Sequence, residues 1–221
     1  MGARGDRSRE NSLEALEESV ALGVDYVELD VWLRDDGSLV VAHDPEHDRG
    51  LAYEVVLRAL EGRARAHVDL KVRDAADAVV ATRTAVEHLG AEAVVVTTER
   101  DACVRAVRDW ADAEGLTLAV GLSLGRSVRR LPRLRAVTVR LSELFPHVRV
   151  RHSRANLVVA HHTLARLGVA AFARRRGLPL LVWTVDTEDA LRYWLRPGRA
   201  WLVTTNQPAL ALEVRSGVRR G

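Results

Sequence analysis

The sequence contains a single cysteine and a single lysine, and it has no long apolar run. One cysteine, Cys103, excludes an intramolecular disulfide and suits a reducing compartment. No apolar stretch approaches the roughly 20 residues that a membrane-spanning helix needs. The start of the chain, Met1 to Glu10, is polar and short, unlike a signal peptide. We therefore expect a cytoplasmic protein that does not span a membrane.

Charge and composition are ordinary for a soluble globular protein. The 33 basic and 30 acidic residues give a net charge of +3, although the sequence pI is about 9.6. The surplus arginine is concentrated in residues 126–154 and 174–176, where solvated helix faces are the usual explanation, so we expect no nucleic-acid binding. With 221 residues, 48% of them hydrophobic, the chain can bury the core of one domain over residues 1–221. The sequence leaves the oligomeric state open.

Apolar, strand-like runs alternate with amphipathic helix patterns along the chain. Seven main strand-like runs follow Gly23, and Met1 to Arg4 is interpreted as the stub of an eighth. Buried strands that alternate with helices form a parallel sheet. The pattern predicts an α/β fold, a (β/α)₈ TIM barrel whose first strand is truncated. A doubly wound open sheet is the alternative, but no glycine-rich phosphate loop follows any strand.

A pair of carboxylates lies on the first long strand. Glu28 and Asp30 alternate with apolar residues in the run Tyr26 to Trp32, so both side chains point to the same face. Two carboxylates side by side on a buried strand repel each other and are costly to desolvate. A hard divalent cation such as Mg²⁺ or Ca²⁺ removes both costs, so this pair predicts a metal site.

The lone lysine lies on a strand with two other polar residues. In His67 to Lys71 the odd positions share one face, which therefore carries His67, Asp69 and Lys71. Every other basic residue is arginine, so a lysine here indicates a site that needs a compact point charge. Polar residues late in barrel strands are typical of active sites, and we interpret Lys71 as an active-site cation.

Short motifs along the whole chain resemble those of the glycerophosphodiester phosphodiesterase family. That family opens with His-Arg-Gly, followed by Pro-Glu-Asn-Thr-Leu-Glu-Ala. It continues with Glu-Leu-Asp-Val, a His-Asp-Pro-like motif, Glu-Leu-Lys, Trp-Thr-Val and Ile-Thr-Asp-x-Pro. The matching segments, in the same order, are Ala3 to Gly5, Arg9 to Ala15, Glu28 to Val31, His43 to Pro45, Asp69 to Lys71, Trp183 to Val185 and Thr204 to Pro208.

The resemblance implies a TIM barrel whose partner is a small-molecule phosphodiester such as glycerophosphocholine, which it cleaves to a phosphomonoester and an alcohol. It implies that Mg²⁺ or Ca²⁺ binds to three carboxylates and that two basic side chains bind the phosphate group. It further implies that His43 protonates the leaving alcohol and that Trp183 offers an apolar wall for the glycerol or alcohol group, although plain barrel packing explains Trp183 equally well. The implied metal ligands are Glu28, Asp30 and Asp69, and the implied phosphate ligands are Arg4 and Lys71.

Four features of the sequence depart from the family pattern. Ala3 replaces the first catalytic histidine and cannot move a proton, and the first strand is cut to residues 1–3. Asp69 replaces a glutamate and is one methylene shorter. The insertion that covers the substrate in the family is nearly absent, because Asp48 to Gly50 runs almost directly into the next helix. We therefore expect a more open site, which suits a larger or unusual phosphodiester or a looser specificity.

Three explanations of Ala3 are open. The alanine is an engineered or recent replacement in an enzyme, which the otherwise intact site favours, or a natural feature of a barrel that binds phosphodiesters without cleaving them. In the third explanation another histidine supplies the proton, and the candidates are His67, His161 and His162. A phospholipase D-like lyase that forms a cyclic phosphate is a further alternative to the hydrolase.

Restoring a histidine at position 3 tests the first explanation. We expect Ala3→His to raise phosphodiesterase activity by about 10²- to 10⁴-fold, the usual contribution of a general acid–base group. The measurement is hydrolysis of a glycerophosphodiester by the parent and the variant. A variant that binds the diester and metal normally, yet shows no turnover, would favour the binding-only explanation.

Overall fold

A single sheet of nine strands organises the computed structural model, which describes residues 12–43, 50–125 and 146–218. The strands are β1 (Tyr26–Leu33), β2 (Leu39–Val41), β3 (Leu51–Ala52), β4 (Arg65–Leu70), β5 (Val94–Thr98), β6 (Ala119–Leu124), β7 (Leu157–His161), β8 (Leu180–Trp183) and β9 (Leu202–Val203). The α-helices are α1 (Leu13–Ala21), α2 (Tyr53–Leu60), α3 (Ala75–Leu89), α4 (Asp101–Ala113), α5 (His147–Ser153), α6 (His162–Leu164), α7 (Ala170–Arg175), α8 (Glu188–Trp194) and α9 (Pro208–Val218). A 3₁₀ turn spans Ala91–Ala93, and a π-type turn spans Ala165–Val169.

The strand order confirms the predicted α/β barrel. The sheet runs β3-β2-β1-β4-β5-β6-β7-β8-β9, and each neighbouring pair from β1 through β4 to β9 is parallel. Helices connect these strands, as the alternating pattern predicted. Strands β2 and β3 add an antiparallel extension beside β1. The predicted first strand, Met1 to Arg4, lies outside the described residues.

The sheet has a small apolar cluster on its inner, concave face and a larger hydrophobic core between its outer face and the helices. Val95, Leu157, Val159 and Leu181 from β5, β7 and β8 form the inner cluster. Tyr26 at the start of β1 also packs against it, so strands far apart in the sheet order meet inside the curl. A second and larger cluster fills the space between the outer face of the sheet and the helices. These two layers are the packing expected of a barrel of this class.

Helix boundaries follow local capping signals. The Ser12 side chain accepts a hydrogen bond of 3.1 Å from the Ala15 N–H at the start of α1, and Asp74 caps α3 in the same way through Ala76. The sequence pattern predicts one helix over Leu164 to Arg176, and this prediction is wrong. Gly168 adopts φ 143° inside this stretch, which separates α6 from α7. Of the predicted arginine-rich helical stretch, residues 126–145 lie outside the described residues.

Within the described residues, no helix is both long enough and apolar enough to cross a membrane. Cys103 is a buried free thiol on α4, so it packs as part of the outer core. The cytoplasmic location remains a prediction.

Close packing inside the curl yields a stability prediction. A Cβ on Gly121 of β6 would lie 2.5 Å from Val159 Cγ2 and 3.1 Å from Leu157 Cδ2. We expect Gly121→Ala to lower the free energy of unfolding by about 1–3 kcal/mol, because neighbouring interior side chains must shift. Chemical denaturation measures this change.

The matched control is Gly217→Ala in α9, where an added Cβ meets nothing within 4 Å. There the free energy of unfolding should stay the same or rise slightly, because alanine favours the helical backbone. A Gly121→Ala variant as stable as the parent would contradict the close approach of β6 to β7.

Candidate active site at the barrel mouth

Three carboxylates meet where β1 and β4 run side by side. The register pairs Glu28 with His67 and Asp30 with Asp69, which brings the two predicted faces together. One oxygen from each of Glu28, Asp30 and Asp69 lies within 4.8 Å of the other two. Two-residue periodicity and the parallel register therefore assemble the predicted acidic cluster.

Lys71 bridges two of these carboxylates. Its Nζ lies 2.5 Å from Asp69 Oδ2 and 2.9 Å from Asp30 Oδ1. The backbone N–H of Lys71 donates to the Val31 carbonyl at 2.9 Å, so the residue continues the β1–β4 ladder just beyond β4. Burial alone would lower the pKa of Lys71, but the carboxylates of Asp69 and Asp30 outweigh it and raise the pKa. The lysine is therefore a permanent cation inside the acidic cluster.

The two carboxylates of β1 differ in protonation. Burial, followed by the charges of Asp30 and Asp69, raises the pKa of Glu28 to about 7. Burial also acts to raise the pKa of Asp30, but the hydrogen bond with His43 and the charge of Lys71 outweigh it, and the net shift is downward. Near neutral pH, Asp30 is therefore ionised, while Glu28 is divided between its protonated and ionised forms. A cation placed between them would favour the ionised form of Glu28.

Two hydrogen bonds in series, from His67 to Thr97 and from Thr97 to Asp69, hold the Asp69 carboxylate in place. The Thr97 hydroxyl on β5 donates to Asp69 Oδ1 at 2.8 Å and lies 2.9 Å from His67 Nε2. Because that hydroxyl proton goes to Asp69, Thr97 accepts from the His67 N–H. Burial lowers the pKa of His67 to about 4, so its ring is neutral. His67 thus positions Asp69 through Thr97 and does not fit the role of a proton carrier.

Thr97 has a role that the sequence reasoning did not identify. It lies two residues after the interior Val95, so strand periodicity places it on the inner face of β5. Its pairing with Asp69, however, depends on the register between β4 and β5, which the sequence alone does not give.

His43 lies beside the acidic cluster, as its motif predicted. Its Nδ1 is 3.5 Å from Asp30 Oδ2, and its side chain is exposed at the mouth. An imidazole held against a carboxylate and open to solvent is suited to proton transfer. The rest of that motif, Asp44 and Pro45, lies outside the described residues, as do Ala3 and Arg4.

Trp183 lies at the end of β8, further round the curl. It packs against the inner apolar cluster, and its ring meets the His161 ring edge-on with centroids 5.5 Å apart. Just beyond β8, Asp186 accepts hydrogen bonds from Asn206, which follows β9: one from its backbone N–H at 2.8 Å and one from its Nδ2 at 3.0 Å. Asp186 therefore fixes the segment that contains the late Thr-Thr-Asn-Gln-Pro motif, another role that the sequence reasoning did not identify.

The donor chemistry of the acidic cluster fits a hard divalent cation. Carboxylate oxygens are the ligands that Mg²⁺ and Ca²⁺ prefer. Glu28, Asp30 and Asp69 offer three such groups, and Asp69 is held in place by Thr97. The cluster does not distinguish the two ions, because both bind oxygen ligands.

Comparisons with known proteins agree with this geometry. The family model of the glycerophosphoryl diester phosphodiesterase family matches residues 2–88, which include Glu28, Asp30, His43, Asp69 and Lys71. The predicted resemblance is confirmed. No curated protein matches the sequence.

Solved phosphodiesterase structures share the fold over nearly the full length. A glycerophosphodiester phosphodiesterase from Parabacteroides distasonis superposes with a TM-score of 0.73 at 16% identity, covering 96% of this chain and 92% of that one. One from Thermotoga maritima gives 0.62 at 19% identity, with 93% and 92% covered. An Oleispira antarctica phosphodiesterase in complex with the product sn-glycerol-3-phosphate gives 0.70 at 15% identity, with 94% and 91% covered. The likeness in sequence therefore covers the first part of the chain, and the likeness in fold extends over nearly all of it.

Removing one charge from the cluster should have two measurable effects. We expect Glu28→Gln to abolish divalent-ion binding, measured by titration calorimetry, because one of three ligands is lost. In the metal-free parent, the raised pKa of Glu28 means that its ionisation costs stability as pH rises towards and through about 7. The variant should therefore melt a few degrees higher than the metal-free parent at about pH 8 and close to it at about pH 5.

Glu92→Gln is the matched control, because Glu92 is an exposed carboxylate outside the cluster. It should change neither divalent-ion binding nor the melting temperature. Unchanged ion affinity in Glu28→Gln would rule out Glu28 as a metal ligand.

Proposed function

We propose that this protein hydrolyses glycerophosphodiesters, or a related phosphodiester, with the help of a divalent cation. The observation that carries the proposal is the cluster of Glu28, Asp30 and Asp69 with Lys71 between two of them. The family match over the same residues and the product-bound neighbour support it. The products would be a phosphomonoester and an alcohol.

Lys71 and Arg4 would bind the phosphate group in this reaction. Lys71 contributes a compact charge held by Asp30 and Asp69, and the guanidinium of an arginine such as Arg4 can grip phosphate oxygens with two parallel hydrogen bonds. A cation bound by Glu28, Asp30 and Asp69 would stabilise the negative charge that grows on the phosphoryl group. Trp183 would offer a flat apolar surface to the glycerol or alcohol group.

His43 would protonate the leaving alcohol as its bond to phosphorus breaks. Asp30, 3.5 Å from the ring, stabilises the positive charge of the protonated imidazole and orients it. The exposure of His43 allows it to regain a proton from solvent after each turnover.

Ala3 favours one competing function, a barrel that binds phosphodiesters or lipid headgroups without cleaving them. Alanine carries no proton, so the second half of a paired acid–base mechanism is missing at that position. The proposed metal and phosphate ligands are the same in both functions, so binding does not separate them.

The decisive experiment is turnover of glycerophosphocholine with Mg²⁺, with Ca²⁺ and with a chelator, followed by phosphorus NMR. Metal-dependent release of glycerol phosphate would support the hydrolase. A stable cyclic phosphate would identify a lyase. Metal-dependent binding of the diester without any product would identify the binding protein.

The lone lysine offers a sharper test of the phosphate site. We expect Lys71→Arg to lower turnover or diester affinity by about 10²-fold or more. The planar guanidinium is larger than an ammonium group and would crowd the phosphoryl group between Asp30 and Asp69. Steady-state kinetics and diester titration measure the effect.

The matched control is the reverse exchange two residues later, Arg73→Lys, at an exposed position. It should behave like the parent. Parent-like kinetics in Lys71→Arg would show that Lys71 is merely a surface cation.

A further inference from the structure

A cavity of about 370 Å³ lies at the end of the barrel away from the acidic cluster. It is bounded by α7, by α8, by Leu178 and Pro179 just before β8, and by Trp201 just before β9. The strands from β1 through β4 to β9 are parallel, so their amino ends lie on one side of the barrel and their carboxyl ends on the other. Lys71 and its carboxylates lie towards the carboxyl ends, so the cavity is separate from the candidate active site.

The walls of this cavity carry positive charge only. Arg174 in α7 and Arg199 before β9 line it, and none of the described residues that line it is acidic. The same two segments carry three more exposed arginines, Arg175, Arg176 and Arg196. None of these five side chains forms an ion pair with another residue that the structure describes. The cavity therefore favours an anionic ligand.

The Arg199 guanidinium is held against an aromatic ring. Its central carbon lies 4.6 Å from the centroid of the Tyr193 ring, and its Nη1–H donates to the Tyr193 hydroxyl at 3.0 Å. Arg166 contacts the same ring, with its guanidinium carbon 4.5 Å from the centroid. These contacts orient Arg199 without neutralising its charge, so the remaining N–H groups of its planar fork suit phosphate oxygens.

Two indole rings form the apolar part of the wall. Trp201 is 47% exposed, and together with Leu178 and Pro179 it offers a flat apolar surface. Trp194 is buried, and its Nε1–H has no hydrogen-bond acceptor within the described part of the chain. Buried donors without a partner are rare, and a ligand oxygen or an ordered water at this wall would supply one.

We propose that this cavity binds a small phosphomonoester that carries a flat apolar group. The phosphate would lie between Arg174 and Arg199, because two guanidinium groups match a doubly charged phosphate, and the flat group would lie against Trp201. The volume falls within the range of about 300–1,000 Å³ that is usual for small-molecule sites. A concave site of this size suits a small molecule better than a membrane, which contacts a broad surface. The inference does not depend on the proposed function.

Titration with phenyl phosphate tests this site, followed by calorimetry and by tryptophan fluorescence, with a chelator present to keep divalent cations from the acidic cluster. We expect saturable binding that is at least about tenfold tighter than binding of inorganic phosphate or of phenol, since each of these carries only one half of the ligand. The double variant Arg174→Gln/Arg199→Gln should lower the affinity for phenyl phosphate by about tenfold or more, because charged hydrogen bonds are lost. Trp201→Leu should reduce the preference for phenyl phosphate over inorganic phosphate.

Arg151→Gln is the matched control, because it removes one exposed arginine on α5, outside the cavity. It should bind phenyl phosphate like the parent, and so should Lys71→Arg, which alters only the candidate active site. Thermal melting confirms that each variant is folded.

Three results would overturn the inference. The first is no saturable binding of phenyl phosphate by the folded parent. The second is unchanged affinity in the folded double variant, or an equal loss in Arg151→Gln or Lys71→Arg. The third is binding to phosphatidylglycerol vesicles without binding of phenyl phosphate, which would identify the arginines as a membrane-docking patch.

Discussion

The mutual repulsion of three carboxylates at the barrel mouth is the constraint on which the site depends. Parallel pairing of β1 and β4 places Asp30 beside Asp69 and leaves Glu28 close to both. Lys71 offsets part of this charge, and burial together with the charges of Asp30 and Asp69 still raises the pKa of Glu28. A divalent cation held by these carboxylates would offset the remaining charge, which is how the fold would support the metal-dependent chemistry proposed for it.

The surrounding barrel orients these groups at fixed positions. Hydrogen bonds from His67 to Thr97 and from Thr97 to Asp69 link two positions on β4 through one on β5, so the carboxylate cannot turn away when its charge is unbalanced. At the ends of β7 and β8, the rings of His161 and Trp183 meet edge-on and form a surface of different chemistry. A phosphodiester has the same two-part character, with an anionic centre and a polyol or apolar end.

Much of this could be predicted from the sequence, because strand periodicity and motif order are local properties. The shared face of Glu28 and Asp30 follows from two-residue alternation, and the scarcity of lysine singled out Lys71. Contacts between strands could not be predicted in the same way. The link between Thr97 and Asp69 requires the β4–β5 register, and the packing of Tyr26 against the inner cluster of β5, β7 and β8 requires the curl of the whole sheet. The break at Gly168 also escaped prediction, since an isolated glycine is tolerated in many helices.

Direct location of the cation tests the central claim most closely. Crystals soaked with Mn²⁺, a hard divalent ion with useful anomalous scattering, would show where the ion binds. The account predicts an anomalous peak bounded by carboxylate oxygens of Glu28, Asp30 and Asp69, close to Lys71. A fully soaked crystal with no peak there, or with a peak only elsewhere on the protein, would contradict it.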